Sequence, residues 1–398
     1  MTEQLDQIFV NLLHWIVGFF PADLQSLVSM LISISAILVV FPQIFALTTV
    51  IERKGLGRIQ NRYGPNRVGL PFTNISLFGF GQFIADGLKT LFKEDVVPRV
   101  ADRVVHFLAP IVLIVPIVLL YAVIPFGRNM YLTDMDAGLL FFFAVGAATE
   151  LSVFMAGWSS RNKYSLFGAM RAVAQMISYE VPLILSAVTV VMITGTLSLV
   201  KIVAAQGTYV GIFPHWFVFT PWGFAGFVLF VIAATAESNR TPFDLPEGES
   251  EIIAGYYIEY SGFKFANFFL GEYLGLFAIS SMGITLFLGG WHAPLSFLEI
   301  VPSWAWYFLK LHLFIFFFIW VRGTLPRLRQ DQLMNFAWKF MLPMALINIL
   351  AAGIWHFMPV GPTRWVVDSV IVFGSYLWLA SGFAAAYRPA QRVYRFAE

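Results

Sequence analysis

Three glutamates, Glu150, Glu180 and Glu272, stand inside long apolar stretches of a chain in which only 12% of residues are charged. A charged side chain near the middle of a bilayer costs about 2.5–3.5 kcal/mol on insertion scales, so such residues face a bundle interior or a wet cavity. More acids lie between two apolar stretches. The segment from Thr235 to Lys264, TAESNRTPFDLPEGESEIIAGYYIEYSGFK, carries Glu237, Asp244, Glu247, Glu249, Glu251 and Glu259, with Arg240 as its only basic residue before Lys264. Clustered buried carboxylates repel one another as anions, and so can hold and pass protons near neutral pH. A single buried glutamate is as readily a helix–helix hydrogen bond. Three at one depth, below an acidic loop, point to a proton path.

That common depth follows from the elements that must carry them. The chain has 398 residues, 59% of them apolar, and a mean hydropathy of +0.75. A soluble fold could not hide that much apolar surface, so lipid is the solvent. The expected class is all-α: a polytopic membrane helix bundle of eight or nine spans forming one membrane domain. Spans are expected at roughly 26–50, 104–125, 138–157, 172–194, 221–238, 265–289, 303–321, 340–358 and 365–386. Residues 8–20 are apolar but too short to cross, and read as an interfacial helix. Segment 75–92, interrupted by Asp86 and Lys89, reads as an amphipathic surface helix. Each of the three glutamates then lies about seven or eight residues from the same end of its span, roughly 10–12 Å deep.

Charge placement orients the bundle. Of the 25 Lys and Arg residues, 21 fall in alternate loops and the C-terminal tail. By the positive-inside rule those long loops are cytoplasmic and the N-terminus is outside. The acidic loop is therefore expected on the cytoplasmic face. The first basic residue is Arg53, so no basic leader precedes the apolar start and a cleavable signal peptide is not expected.

Other chemistry is poorly represented. Cysteine is absent, so thiolate-bound iron–sulfur clusters and disulfides are excluded. No phosphate-loop or dinucleotide fingerprint occurs. His312 and His356 have no metal-spaced partners and read as packing or interfacial residues. Asp134 and Asp136 read as solvated outer-loop acids. Lys310 has two open roles, neutralising one of the buried acids or snorkelling. The loop ERKGLGRIQNRYGPNRVGLP, residues 52–71, is basic, but its glycines and prolines imply specific turns, and so a shaped docking surface rather than a featureless arm.

These motifs together resemble a known family. ERKGLGRIQNRYGPNRVG (52–69), ADGLKTLFKED (85–95), GWSSRNKYSLFGAMRAVAQMISYE (157–180), AESNRTPFDLPEGESEIIAGYYIEYSGFKFA (236–266) and VRGTLPRLRQDQL (321–333) are similar to the quinone-site membrane subunit of respiratory complex I, the proton-pumping NADH:quinone oxidoreductase (the bacterial H subunit, or subunit 1 in mitochondria). The resemblance covers nearly the whole chain. It implies a bacterial inner-membrane subunit that is not catalytic alone. Such a subunit encloses a quinone access chamber and couples reduction of its substrate, quinone, to proton translocation. No cofactor would bind this chain; FMN and iron–sulfur clusters would sit in partner subunits. Partners would be the quinone-site subunits of the peripheral arm, the antiporter-like membrane subunits and lipid, with no nucleic acid.

Residue by residue, the resemblance assigns Arg53, Gly64, Pro65, Asn66, Arg67, Asp244 and Glu247 to the quinone chamber and its docking loop. It places Arg240 among the acids of the funnel below. Glu150, Glu180, Glu237, Glu249, Glu251, Glu259 and Glu272 would form the proton path. The chain departs from the family pattern at Tyr257, where many relatives carry His or Asn, at Gly248, at Gly55, and in its extra span 365–386. Three alternatives stand beside this reading: the homologous membrane subunit of a membrane-bound hydrogenase or related dehydrogenase, a stand-alone proton or solute transporter, and a purely structural anchor.

Overall fold

A computed structural model describes residues 5–69, 78–245 and 253–386. Its helices, in chain order, are α1 (Ile8–Val17), α2 (Ala22–Ile59), α3 (Gln82–Phe92), α4 (Arg103–Leu120), α5 (Gly138–Gly146), α6 (Ala148–Ser159), α7 (Lys163–Thr194), α8 (Leu199–Ala205), α9 (Pro221–Glu237), α10 (Gly262–Phe287), α11 (Ser303–Thr324), α12 (Gln330–Phe336), α13 (Leu342–Phe357) and α14 (Pro362–Ala386). One two-residue hairpin, Tyr209–Val210 with Phe213–Pro214, is the sheet found among the described residues. The chain is an all-α polytopic membrane bundle. Eight helical segments are long and apolar enough to cross a membrane, with α5–α6 and α12–α13 each counted as one. The apolar α9, at 17 residues, is shorter.

Local sequence explains where the helices start and stop. Asp102 caps α4 by accepting from the Val104 and Val105 amides. Asn162 caps α7 through the Tyr164 amide, and Gly195, at φ +67°, ends it in the left-handed conformation that glycine adopts without a Cβ penalty. Thr220 caps α9, whose first residue is Pro221. The helix α2 has 38 residues, about 57 Å at the helical rise. A bilayer core needs only about 30 Å, so its ERKGLGRI end runs beyond the lipid on the basic face.

Beyond the long α2, which covers Ala22–Ile59 against an expected 26–50, other boundaries differ from the sequence reading. The span expected at 172 begins at Lys163, because Asn162 caps the helix there and a tight turn at Arg161 (φ +51°) replaces a loop. The expected span 138–157 is broken at Ala147, just after Gly146. The expected loop 322–339 is mostly helical: α11 runs to Thr324, and α12 passes through a π-turn at Ala337–Met341 into α13. Helices form within both shorter segments: α1 covers Ile8–Val17 of the expected 8–20, and α3 covers Gln82–Phe92 of the expected 75–92.

The core lies around α10, whose spanning window is 78% buried, against 11% for α2 and for α14 at the periphery. Small residues permit the close approaches. A Cβ on Gly271 would meet Leu113 of α4 at 2.6 Å, so glycine beside Glu272 lets α10 seat against α4. On the face opposite the basic loops, Asp6 accepts from the Ser303 amide at 2.6 Å and Phe9 packs edge-on against Trp304 at 5.2 Å. These contacts dock α1 on the start of α11.

Candidate functional site

An acidic cavity of about 80 Å³ lies between α7, the end of α9 and α10. Glu180, Glu237 and Glu272 line it, with Thr149, Asn239 and Tyr256. Leu113, Phe143 and Leu183 contribute apolar wall. The break at Ala147 places Glu150 in the first turn of α6. Its carboxyl is within electrostatic range of Glu180, and Glu237 is within range of both. Glu150 Oε1 and Glu237 Oε2 are buried and accept no hydrogen bond from a described residue. Buried carboxyl oxygens in such a place need water or a proton, and the cavity has room for a few waters. Four carboxyls from four helices are thus brought together as the sequence suggests.

A second cluster sits beside the first. Glu52, 4% exposed, lies in α2. Its Oε1 accepts from Arg240 Nη1 at 3.2 Å and from Arg322 Nη1, and its Oε2 accepts from the Tyr273 hydroxyl at 2.6 Å. The Arg240 guanidinium also lies over the Tyr273 ring at 4.1 Å, a cation–π contact. Burial alone would lower the Arg240 pKa. Interaction with Tyr273, Glu52 and Glu272 more than offsets that and holds it above the usual guanidinium range, so Arg240 stays cationic. A small cavity lined by Asn239, Arg240, Asp244, Glu272 and Arg322 adjoins the pair. Glu272 and Asn239 border both this cavity and the acidic one. The turn after α9 that sets Asn239 and Arg240 is pinned by Gln175, whose amide donates to Ala236 O (2.8 Å), Asn239 Oδ1 (3.2 Å) and Phe243 O (2.8 Å).

Other expected site residues lie elsewhere. Arg53 is half-exposed and pairs with Asp86 of α3 at 2.6 Å. It ties α2 to the surface helix, while its neighbour Glu52 points into the core. A Cβ on Gly64 would meet Lys54 Cα at 2.7 Å, and one on Gly79 would meet Pro65 O at 2.2 Å. The Gly64–Pro65 turn is therefore fitted against α2 and the start of α3, whereas Asn66 and Arg67 are exposed. Asp244 lines the small cavity. Glu259 is not among the residues that line the acidic cavity, and accepts from Asn162 Nδ2 at 2.7 Å. Acidic charge alone groups it with the others. Glu247, Glu249 and Glu251 lie outside the described residues. Of the acids read as solvated, Asp136 is exposed and bonded to Lys201, but Asp134 accepts from Ser198, the cap of α8.

Lys310 takes neither open role. It is 8% exposed, donates to the carbonyls of Leu288, Gly290 and His292 at 2.7–2.8 Å, and lies 4.0 Å from the Trp216 ring centroid. A cation at the C-terminal end of α10 also suits the helix dipole. Lys310→Met is expected to destabilise the protein by about 1–3 kcal/mol, the usual cost of orphaning buried acceptors. Thermal unfolding of the purified protein measures this, and an unchanged midpoint would contradict it.

Sequence reasoning missed Glu52, Arg322 and Tyr273 as a unit. The signal for them is modest: Glu52 and Arg322 each sit where an apolar stretch meets a basic one, and Tyr273 adjoins Glu272. It also missed Asp368, 1% exposed, which accepts from the Trp222 amide at 3.1 Å and so fastens α14 to the start of α9.

Comparison with known proteins bears on the same residues. The NADH dehydrogenase family profile matches residues 32–353, a range that includes both clusters. The chain belongs to this family. The NADH-quinone oxidoreductase H subunit of Geobacillus kaustophilus is 48% identical over 309 residues, covering 77% of this chain and 88% of the relative. The proteins of the same name from Bacillus cytotoxicus and Anoxybacillus flavithermus are each 48% identical over 303 residues, covering 76% of this chain and 86% of each relative. As a member of this family the chain is a multi-pass membrane protein. Its last helix, α14, lies beyond the matched range. Among the described residues no group of three His, Asp or Glu side chains could hold a metal ion.

Proposed function

We propose that this chain is the membrane subunit of a bacterial NADH:quinone oxidoreductase that forms the quinone access chamber and passes the charge of quinone reduction to protons on its buried glutamates. The observation that carries the reading is the position of Glu272, which borders the Glu52–Arg240–Arg322 cluster on one side and the acidic cavity on the other. The chamber lies on the side of Arg53, Gly64–Arg67 and Asp244. Reduced quinone brings negative charge there. In a medium of effective dielectric about 20, a unit charge about 10 Å away shifts a carboxylate by about 1.7 kcal/mol, a little more than one pKa unit. That suffices to change which of Glu150, Glu180, Glu237 and Glu272 holds a proton, without direct contact. Glu247, which the resemblance assigns to the chamber, and Glu249 and Glu251, which it assigns to the proton path, lie outside the described residues.

The chain works as one membrane domain, with α1 at the outer interface, α14 as an extra span and its basic loops in the cytoplasm. It is not catalytic alone. FMN and the iron–sulfur clusters belong to partner subunits of the peripheral arm, and the antiporter-like membrane subunits receive the proton signal. The experiment is purification in mild detergent through a C-terminal tag. Co-purification of flavin and iron–sulfur subunits, with inhibitor-sensitive NADH-dependent quinone reduction, is the expected result. A nickel–iron hydrogenase partner would move the chain to the related-dehydrogenase reading. A lone monodisperse chain that transports protons in proteoliposomes would make it a transporter.

A further inference from the structure

A cavity of about 580 Å³ opens on the face opposite the basic loops, and the proton path makes no use of it. Three separate parts of the chain build it: Asp6 ahead of α1, Arg128 in the turn after α4, and the loop 291–303 with Trp306 of α11. It carries charges of both signs. Arg128 is exposed, and its guanidinium has no hydrogen-bond or ion-pair partner among the described residues. Glu299 is exposed as well and sits beside the Tyr209 phenol. Asp6 gives one oxygen to the Ser303 amide at 2.6 Å, and its second accepts from no described residue. The loop that presents these groups is fixed in place. Lys310 binds the Gly290 and His292 carbonyls, Tyr209 donates to Ala293 O at 3.0 Å, and Trp306 Nε1 donates to Leu298 O at 3.2 Å.

Beside the cavity the surface is apolar. The Ser296 amide donates to Ile212 O at 3.3 Å, which joins the tip of the hairpin to the loop. Val210, Phe213, Phe297 and Ile300 stand out from these two segments at 61–71% exposure. No Lys, Arg, Asp or Glu occurs between Lys201 and Glu237, so the hairpin enters lipid without burying a charge. A polar pocket with Trp291 and Trp306 in its wall, next to an exposed apolar patch, is the chemistry of the boundary between headgroups and acyl chains.

We infer that this cavity binds the headgroup of an amine-bearing phospholipid, of the phosphatidylethanolamine kind, in the leaflet opposite the basic loops. The hairpin and residues 297–300 lie in the acyl boundary beside it. Charge complementarity selects the headgroup. A guanidinium pairs with phosphate oxygens in a fork that suits them, and Arg128 is the free cation for that. An ammonium has three donors and no acceptor, and a carboxylate only accepts, so Asp6 and Glu299 suit the amine. An anionic headgroup without an amine would satisfy Arg128 but meet two carboxylates. The site is distinct from the quinone chamber, which lies at the other end of the bundle with Arg53 and Asp244.

The test incubates the assembly, purified in mild detergent, with phosphatidylethanolamine that carries a photoreactive acyl chain, and maps the crosslinks by peptide mass spectrometry. Labelling is expected to concentrate in residues 209–214 and 296–301. Unlabelled phosphatidylethanolamine is expected to compete it away, and phosphatidylglycerol to compete weakly. Arg128→Ala and Glu299→Gln are each expected to lower the labelling about tenfold, the scale of one lost charge-assisted hydrogen bond, with assembly unchanged. Labelling spread evenly over the lipid-facing helices and indifferent to both substitutions would overturn the site. Equal competition by phosphatidylglycerol would overturn the role of the amine, and equal competition by soluble phosphoethanolamine would overturn the lipid as its source. Crosslinks to a neighbouring subunit, with none in these two segments, would show that protein covers this face instead.

Discussion

Glu52→Ala is expected to lose most quinone-linked activity and to lower the stability of the assembled protein. The carboxylate holds two guanidiniums and a phenol, and is itself 4% exposed. Removing one partner of a buried charge pair costs about 3–5 kcal/mol, because the remaining charges stay desolvated and unpaired. Here two cations, Arg240 and Arg322, would be left to repel each other. Arg322 keeps 31% side-chain exposure, so water relieves part of that penalty and the lower end of the range applies. Glu52→Gln separates structure from charge. It preserves the volume and an oxygen for Tyr273, so it is expected to assemble while quinone reduction falls roughly tenfold. Native gels and thermal unfolding report the first property, and NADH-dependent quinone reduction the second. Wild-type stability and turnover in the alanine variant would show that the cluster does not hold the site.

Glu180→Gln and Glu272→Gln are expected to assemble normally and to slow quinone-linked turnover by about a hundredfold or more, the scale on which proton-transfer groups act. Glutamine matches glutamate in size and hydrogen bonding but cannot take up or release a proton. The two positions probe different places. Glu180 borders the acidic cavity alone, whereas Glu272 also borders the Arg240 cavity. If charge passes from the quinone side through Glu272, that variant is the more severe in turnover. The steady-state rate of quinone reduction per assembled complex measures both. Equal, near-normal rates would mean that these carboxyls only hold helices together.

What the sequence makes legible is what lies along one helix. Apolar length gives the spans, and carboxylates within them give the acidic cavity, because the cost of burying charge in lipid forces such groups inward. The cluster at Glu52 is not legible in that way. Its partners Arg240 and Arg322 are 188 and 270 residues distant in sequence, and no periodicity connects them. The same holds for Lys310, whose acceptors belong to a chain reversal at Leu288–His292 that only the packed fold creates. Glu259 shows how charge alone does not give a residue's partner. Its charge suits the funnel, but its place after the 3-10 turn directs it to Asn162. The helical start at Lys163 is hidden in the sequence because its polar residues suggest a loop, although a long helix that leaves the lipid carries them without strain.

The most direct measurement is of the rates of quinone reduction and of proton translocation, side by side, in proteoliposomes containing the intact complex with Glu237→Gln in this chain. Glu237 is the carboxyl that lies within range of both Glu150 and Glu180 and has a buried oxygen inside the cavity. The account predicts an assembled complex in which pumping and quinone reduction fail together. Full-rate quinone reduction with an unchanged proton count would contradict it.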